Sequence, residues 1–154
     1  MPQQNEKFLL QQWMKLWQDI DALYTSFLKR WRLSPHAYLI LERLHRGPTR
    51  SAEPTELAVL LHVTRQLVTF ILNDLEERGL ILRRESARDR RRRSIALSKK
   101  GRSLAKEVCD EMDALELKTL HALSEQERTE LLERSQRYCD MLRSSLNAQK
   151  GQDG

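Results

Sequence analysis

The chain has 154 residues, 40% hydrophobic and 32% charged, with a formal net charge of +5 at pH 7. That length suits one globular domain, or a small domain with long helical extensions, and is enough to bury a real core. Nowhere do apolar residues run long enough to span a bilayer, and the amino-terminal MPQQNEKFLLQQW lacks the basic and apolar pattern of a secretory leader, so the expected location is cytoplasmic.

From Leu9 to Trp31, apolar residues fall at Leu9, Trp13, Leu16, Ile20, Leu23, Phe27 and Trp31, which predicts a long helix with one apolar stripe. Ser34 followed by Pro35 is a helix start, because the serine oxygen accepts from free N–H groups and proline suits the first helical position. The second helix is predicted from about Pro35 to His45, and the Gly, Pro and Ser content of Arg46 to Pro54 marks a loop. TELAVLLHV predicts a short helix interrupted at His62 and Val63. Thr64 then caps a further helix with Leu67, Val68, Ile71, Leu72 and Leu75 facing inward and Gly79 at its end.

Two short apolar stretches follow, Leu80 to Arg84 and Ser94 to Leu97, joined by an arginine-rich loop. Alternation of Leu80 with Leu82 and of Ile95 with Leu97 predicts a two-stranded ribbon with one buried face. Ser98 caps a helix from about Lys99 to Leu120 with Leu104, Val108, Met112 and Leu115 on one stripe. SEQE, Ser124 to Glu127, has the spacing of a capping box before a last helix whose stripe is Leu131, Ser135, Tyr138, Leu142 and Leu146.

The positive charge is local. From His62 to Arg102 there are twelve Lys/Arg against five acids, a net +7, so the rest of the chain sums to −2. The order helix, short helix, turn, helix, hairpin lets the second helix of the turn enter a DNA major groove, with Thr64, Arg65, Gln66, Thr69 and Asn73 towards base edges. The hairpin adds Arg84, Arg88, Arg90, Arg91 and Arg92, whose guanidinium groups suit phosphates or a narrow minor groove, with Asp89 at the head of the arginine run. A bare arginine run is ordinarily a solvated face or a nonspecific polyanion patch; here the flanking strands give it a register.

These residues resemble the MarR (multiple antibiotic resistance regulator) family of bacterial transcription factors. Asp89-Arg90-Arg91, then Ser94-Ile-Ala-Leu97-Ser98, then Gly101 match the family's wing signature, with Ser98 standing for threonine. Upstream, TELAVLLHVTRQLVTFILNDLEERGLI is similar to its Leu-Ala helix, recognition helix and Leu-Glu-x-x-Gly exit. The resemblance implies a mainly α fold with a small β-hairpin wing: a winged helix-turn-helix over 33–101, flanked by helical dimerisation regions at 5–32 and 102–148. It implies a homodimer on a pseudo-palindromic operator, most often a repressor released by a small aromatic or acidic effector. Within the wing it implies that Asp89 pairs with an arginine to steady the hairpin while Arg91 enters the minor groove. Two departures stand out, Phe70 where many members carry a basic residue, and a longer Arg46 to Pro54 loop. Effector-pocket candidates are Trp13, Trp17, Trp31, His36 and Tyr38, although helical spacing explains the tryptophans equally as core and dimer packing.

Cys109 and Cys139 form neither a disulfide framework nor a metal-ligand spacing and are expected to be buried, inert thiols. His36, His45, His62 and His121 are scattered and suggest no metal site. No catalytic constellation or cofactor motif is present, so an enzyme is not expected. The alternatives to an operator-binding regulator are a winged module docking an acidic partner protein and a nonspecific DNA-coating protein.

Overall fold

The computed structural model describes residues 2–85 and 93–150. The elements run α1 (Pro2–Leu28), a 3-10 turn (Lys29–Trp31), α2 (Pro35–Arg46), β1 (Ser51–Ala52), α3 (Pro54–Leu60), α4 (Arg65–Glu77), β2 (Ile81–Glu85), β3 (Arg93–Leu97), α5 (Lys99–His121) and α6 (Glu125–Lys150). The chain divides into two compact units, Met1–Asp110 and Glu111–Gly154, and α5 runs from one into the other. The fold is mainly helical with a small antiparallel sheet, a winged helix-turn-helix.

Local chemistry sets most helix ends. The Ser34 hydroxyl accepts from the Ala37 N–H at 3.1 Å, and Pro35 opens α2. Thr64 does the same for α4, accepting from the Leu67 N–H at 3.2 Å. Glu53, seldom an N-cap residue, begins α3 through a reciprocal capping box with Glu56, whose carboxylate accepts from the Glu53 N–H at 2.8 Å.

Three of the helical segments stop in the same way, with one left-handed residue and a pair of reversed hydrogen bonds. After α4, Gly79 has φ 69, its N–H donates to the Glu76 carbonyl and that of Leu80 to Leu75, both at 2.8 Å. After the 3-10 turn the left-handed residue is Arg32 (φ 55), and after α3 it is His62 (φ 53). There the His62 N–H reaches Val59 and the Val63 N–H reaches Ala58. This is why the helix stops at His62 without a glycine.

The core of the first unit is built by Leu28 from α1, Ile40, Leu41 and Leu44 from α2, Leu57 from α3, Val68, Leu72 and Leu75 from α4, Ile81 and Ile95 from the sheet, and Ala105 and Val108 from α5. Each fully buried large aliphatic side chain among them stabilises the fold by about 1.5–3 kcal/mol over an exposed one. Leu67, expected inside, lies at the surface of α4. Val68, Ile71, Leu72 and Leu75 already fill the inward stripe.

The sheet departs from the expected ribbon in two ways. It has three strands in the order β1-β3-β2, since Ser51 and Ala52, read as loop, pair with Ala96 and Ile95. Two residues carry no periodicity. They become a strand because β3 offers a free edge of N–H and C=O groups.

The second departure is register. Ile81 pairs with Leu97 and Arg83 with Ile95; Ile81, Ile95 and Leu97 are buried, whereas Leu82 is 42% exposed. Leu80 is buried too, but as the residue after the helix stop and not as part of the strand. Counting alternation from Leu80 therefore slips the face by one residue.

In the second unit, Ser124 and Glu127 form the expected capping box: the Glu127 carboxylate accepts from the Ser124 N–H and hydroxyl, each at 2.8 Å. Leu131, Leu132, Tyr138, Met141, Leu142 and Leu146 are all exposed along α6. Cys109 is buried, but Cys139 is exposed, correcting the expectation of two buried thiols. No single helix among the described residues is long and apolar enough to cross a membrane.

Candidate nucleic-acid interface

The axes of α3 and α4 turn through 117° at the break between them, within the range of a helix-turn-helix. The left-handed His62 and the Thr64 cap produce this corner. It leaves the first turn of α4 exposed, with Thr64, Arg65, Gln66, Thr69 and Asn73 all at the surface. They are not equally available. Thr64 accepts from the Leu67 N–H, Thr69 donates its hydroxyl to the Arg65 carbonyl at 2.9 Å, and Asn73 Oδ1 accepts from Arg83 Nη2 at 2.5 Å. Among the described residues no side-chain hydrogen bond or ion pair engages Arg65 or Gln66.

Arg83 is the residue that sequence reading missed. Its parity with Ile81 turns it towards α4, where Nε also pairs with the Glu76 carboxylate at 2.9 Å. One side chain thus ties β2, the first strand of the wing, to the middle and end of α4. The detectable signal was the i,i+2 relation to the buried Ile81, hidden by the one-residue error in face.

A second strut holds the other end of α4. Arg78 donates to the carbonyls of Arg32 and Trp31, each at 2.8 Å, and pairs with Asp74 at 3.1 Å. Ser98 joins the start of α5 to the same corner: its hydroxyl donates to the Gly79 carbonyl at 2.7 Å and accepts from the Gly101 N–H at 2.9 Å. At Gly101 a side chain would run into the backbone of Leu80. The Ser98-x-x-Gly101 spacing is therefore a packing requirement of the wing's base.

Arg84 lies on the opposite face of the sheet from Arg83. There it lines a cleft of about 890 Å3 with Arg43, His45, Arg50, Glu56 and Arg102, among others. Arg88, Asp89, Arg90, Arg91 and Arg92 lie outside the described residues.

None of the five effector-pocket candidates lines that cleft. Trp13 and Trp17 form an edge-to-face pair at 5.9 Å on α1. Trp31 packs on Phe27 at 5.4 Å, lies under the Arg30 guanidinium at 3.7 Å, and donates from Nε1 to the Glu107 carboxylate at 2.8 Å. His36 is half-buried near the start of α2 and Tyr38 is buried two residues on. Burial, and then the Glu42 carboxylate that accepts from it at 3.3 Å, push the Tyr38 phenol well above its usual range, so it stays protonated.

Helix-turn-helix, struts and sheet define a winged-helix protein. Residues 33–92 match the family model described as MarR family. The transcriptional repressor MprA of Escherichia coli K12 is 35% identical over 83 residues, a match covering 54% of this chain and 47% of MprA. The chain thus spans about half the length of the curated relatives it matches.

Among solved structures it is similar to a MepR–DNA complex of S. aureus, with a TM-score of 0.73, 22% identity, and coverage of 84% of this chain and 94% of that one. It is also similar to Streptococcus pneumoniae FabT in complex with DNA, with a TM-score of 0.74, 23% identity, and coverage of 90% and 97%.

Proposed function

We propose that the chain is a sequence-specific DNA-binding transcriptional regulator, a repressor, that acts as a cytoplasmic homodimer on a pseudo-palindromic operator. The carrying observation is the exposed first turn of α4 with Arg65 and Gln66 unengaged, presented at a helix-turn-helix corner and braced to the wing by Arg83. Arginine suits guanine and glutamine suits adenine in the major groove. The net +7 of residues 62–102 supplies attraction to phosphates. MprA's name and the DNA in the MepR and FabT complexes support the same reading.

Two helices support the homodimer. Phe8, Leu9, Leu16, Trp17 and Leu23 of α1 and Leu132, Met141 and Leu146 of α6 are exposed apolar side chains that a second copy would cover. Two reading heads would then address half-sites about 34 Å apart. Release follows if a small aromatic or acidic effector binds better to a state with a different head spacing. The Trp13, Trp17, Trp31, His36 and Tyr38 region is the proposed seat of that effector. No enzymatic activity or cofactor is part of the reading.

In the wing, Arg91 is proposed to enter the minor groove and Asp89 to steady the hairpin, with Arg84, Arg88, Arg90 and Arg92 on phosphates. The test is a gel shift with promoter fragments against random competitor DNA at low and high salt. Arg91→Ala is expected to weaken binding on the order of tenfold and reduce the salt slope by about 1, with the circular dichroism unchanged. Equal affinity for operator and competitor would leave a nonspecific DNA-coating protein. No binding to either would favour a module that docks an acidic protein.

A further inference from the structure

Phe70 is 72% exposed in the middle of α4, one turn after Gln66. Its polar neighbours at the surface are partly engaged within the protein. The Thr69 hydroxyl bonds the helix's own Arg65 carbonyl, which leaves its methyl to offer, and Asn73 Oδ1 is held by Arg83. The reading face is therefore divided. Its first turn is polar, with Arg65 and Gln66; its second is apolar, with the Thr69 methyl and the Phe70 ring.

An exposed phenyl ring is costly to leave in water, and the one apolar group that a major groove presents is the thymine C5-methyl. We infer that Phe70, assisted by Thr69, is a specificity-determining residue that reads thymine methyl groups in the operator. This rests on the DNA-binding reading above. The flanking Arg65 and the net +7 of residues 62–102 favour the DNA polyanion as the occupant of this face.

The experiment uses the full chain and an operator obtained by randomised-site selection. Each thymine of the consensus is replaced in turn by deoxyuridine, which removes only the methyl. At one or two positions per half-site the replacement is expected to weaken wild-type binding about fourfold, the effect of one buried methyl. Phe70→Ala should bind the thymine and uracil operators equally, at the wild-type affinity for the uracil one. Because the ring is exposed, this variant keeps its fold, checked by circular dichroism. Phe70→Leu should restore part of the discrimination. A consensus lacking thymine, thymine-to-uracil replacement that is silent throughout, or discrimination that survives Phe70→Ala would overturn the inference while leaving operator binding intact. Failure to select any consensus would overturn the operator reading, and this inference with it.

Discussion

Replacing Gly101 by alanine tests the junction from which the wing springs. Gly101 is the third residue of α5 and buried. In an open helical position glycine-to-alanine stabilises by roughly 0.8–1.0 kcal/mol. Here the new Cβ would sit 2.8 Å from the Leu80 carbonyl carbon and nearer still to its oxygen, where ordinary contact begins at 3.4 Å. The start of α5 must then move by at least about 0.6 Å, the difference between those two distances.

Leu80 cannot yield cheaply. Its carbonyl accepts from the Ser98 N–H at 3.0 Å, its N–H closes the stop of α4, and its side chain is buried. Overpacking costs ~1–3 kcal/mol and the weakened Ser98 bond ~1, so Gly101→Ala is expected to destabilise by about 2–4 kcal/mol. Equilibrium urea unfolding followed by tryptophan fluorescence measures this, at fixed protein concentration because association adds to stability. The midpoint should fall by roughly 1–2 M with an unchanged slope. A variant as stable as the wild type, or more so, would refute the packing argument, because the expected sign is opposite to that of an unhindered helix.

Three further outcomes are expected. In a double-mutant cycle, Arg83→Met and Glu76→Gln should show a coupling of roughly 0.5–1 kcal/mol, modest because both side chains are partly exposed, and independent additivity would remove the strut. Trp31→Phe should lose only about 0.5–1.5 kcal/mol, because the exposed Glu107 carboxylate regains water when the indole donor is removed, as measured by urea unfolding. Hydrogen bonds from the Ser124 backbone and then its hydroxyl hold the Glu127 carboxyl below its ordinary value of 4.5. Its contribution to the start of α6 is therefore complete above that value and lost as pH falls through the lowered one; helicity of Glu127→Gln should lack this acid-side step.

The sequence by itself determined where helices begin and end, because those signals are local. Ser34-Pro35, Thr64, Gly79 and SEQE each act within one turn of chain, and the structure uses all four. The Ser98-x-x-Gly101 spacing was visible in the sequence, but its purpose was not, since Ser98 meets Gly79 and Gly101 meets Leu80 far along the chain. What only tertiary structure decided depended on a partner far along the chain. Ser51–Ala52 is a strand solely because β3 lies beside it. The face of β2 was set by where α4 stops, which buried Ile81 and exposed Leu82. That same parity delivered Arg83 to Asn73 and Glu76, changing which groups the surface of α4 has left to offer. Periodicity reports which residues share a face, but only the packed neighbours decide which face is inside and whose hydrogen bonds are already spent.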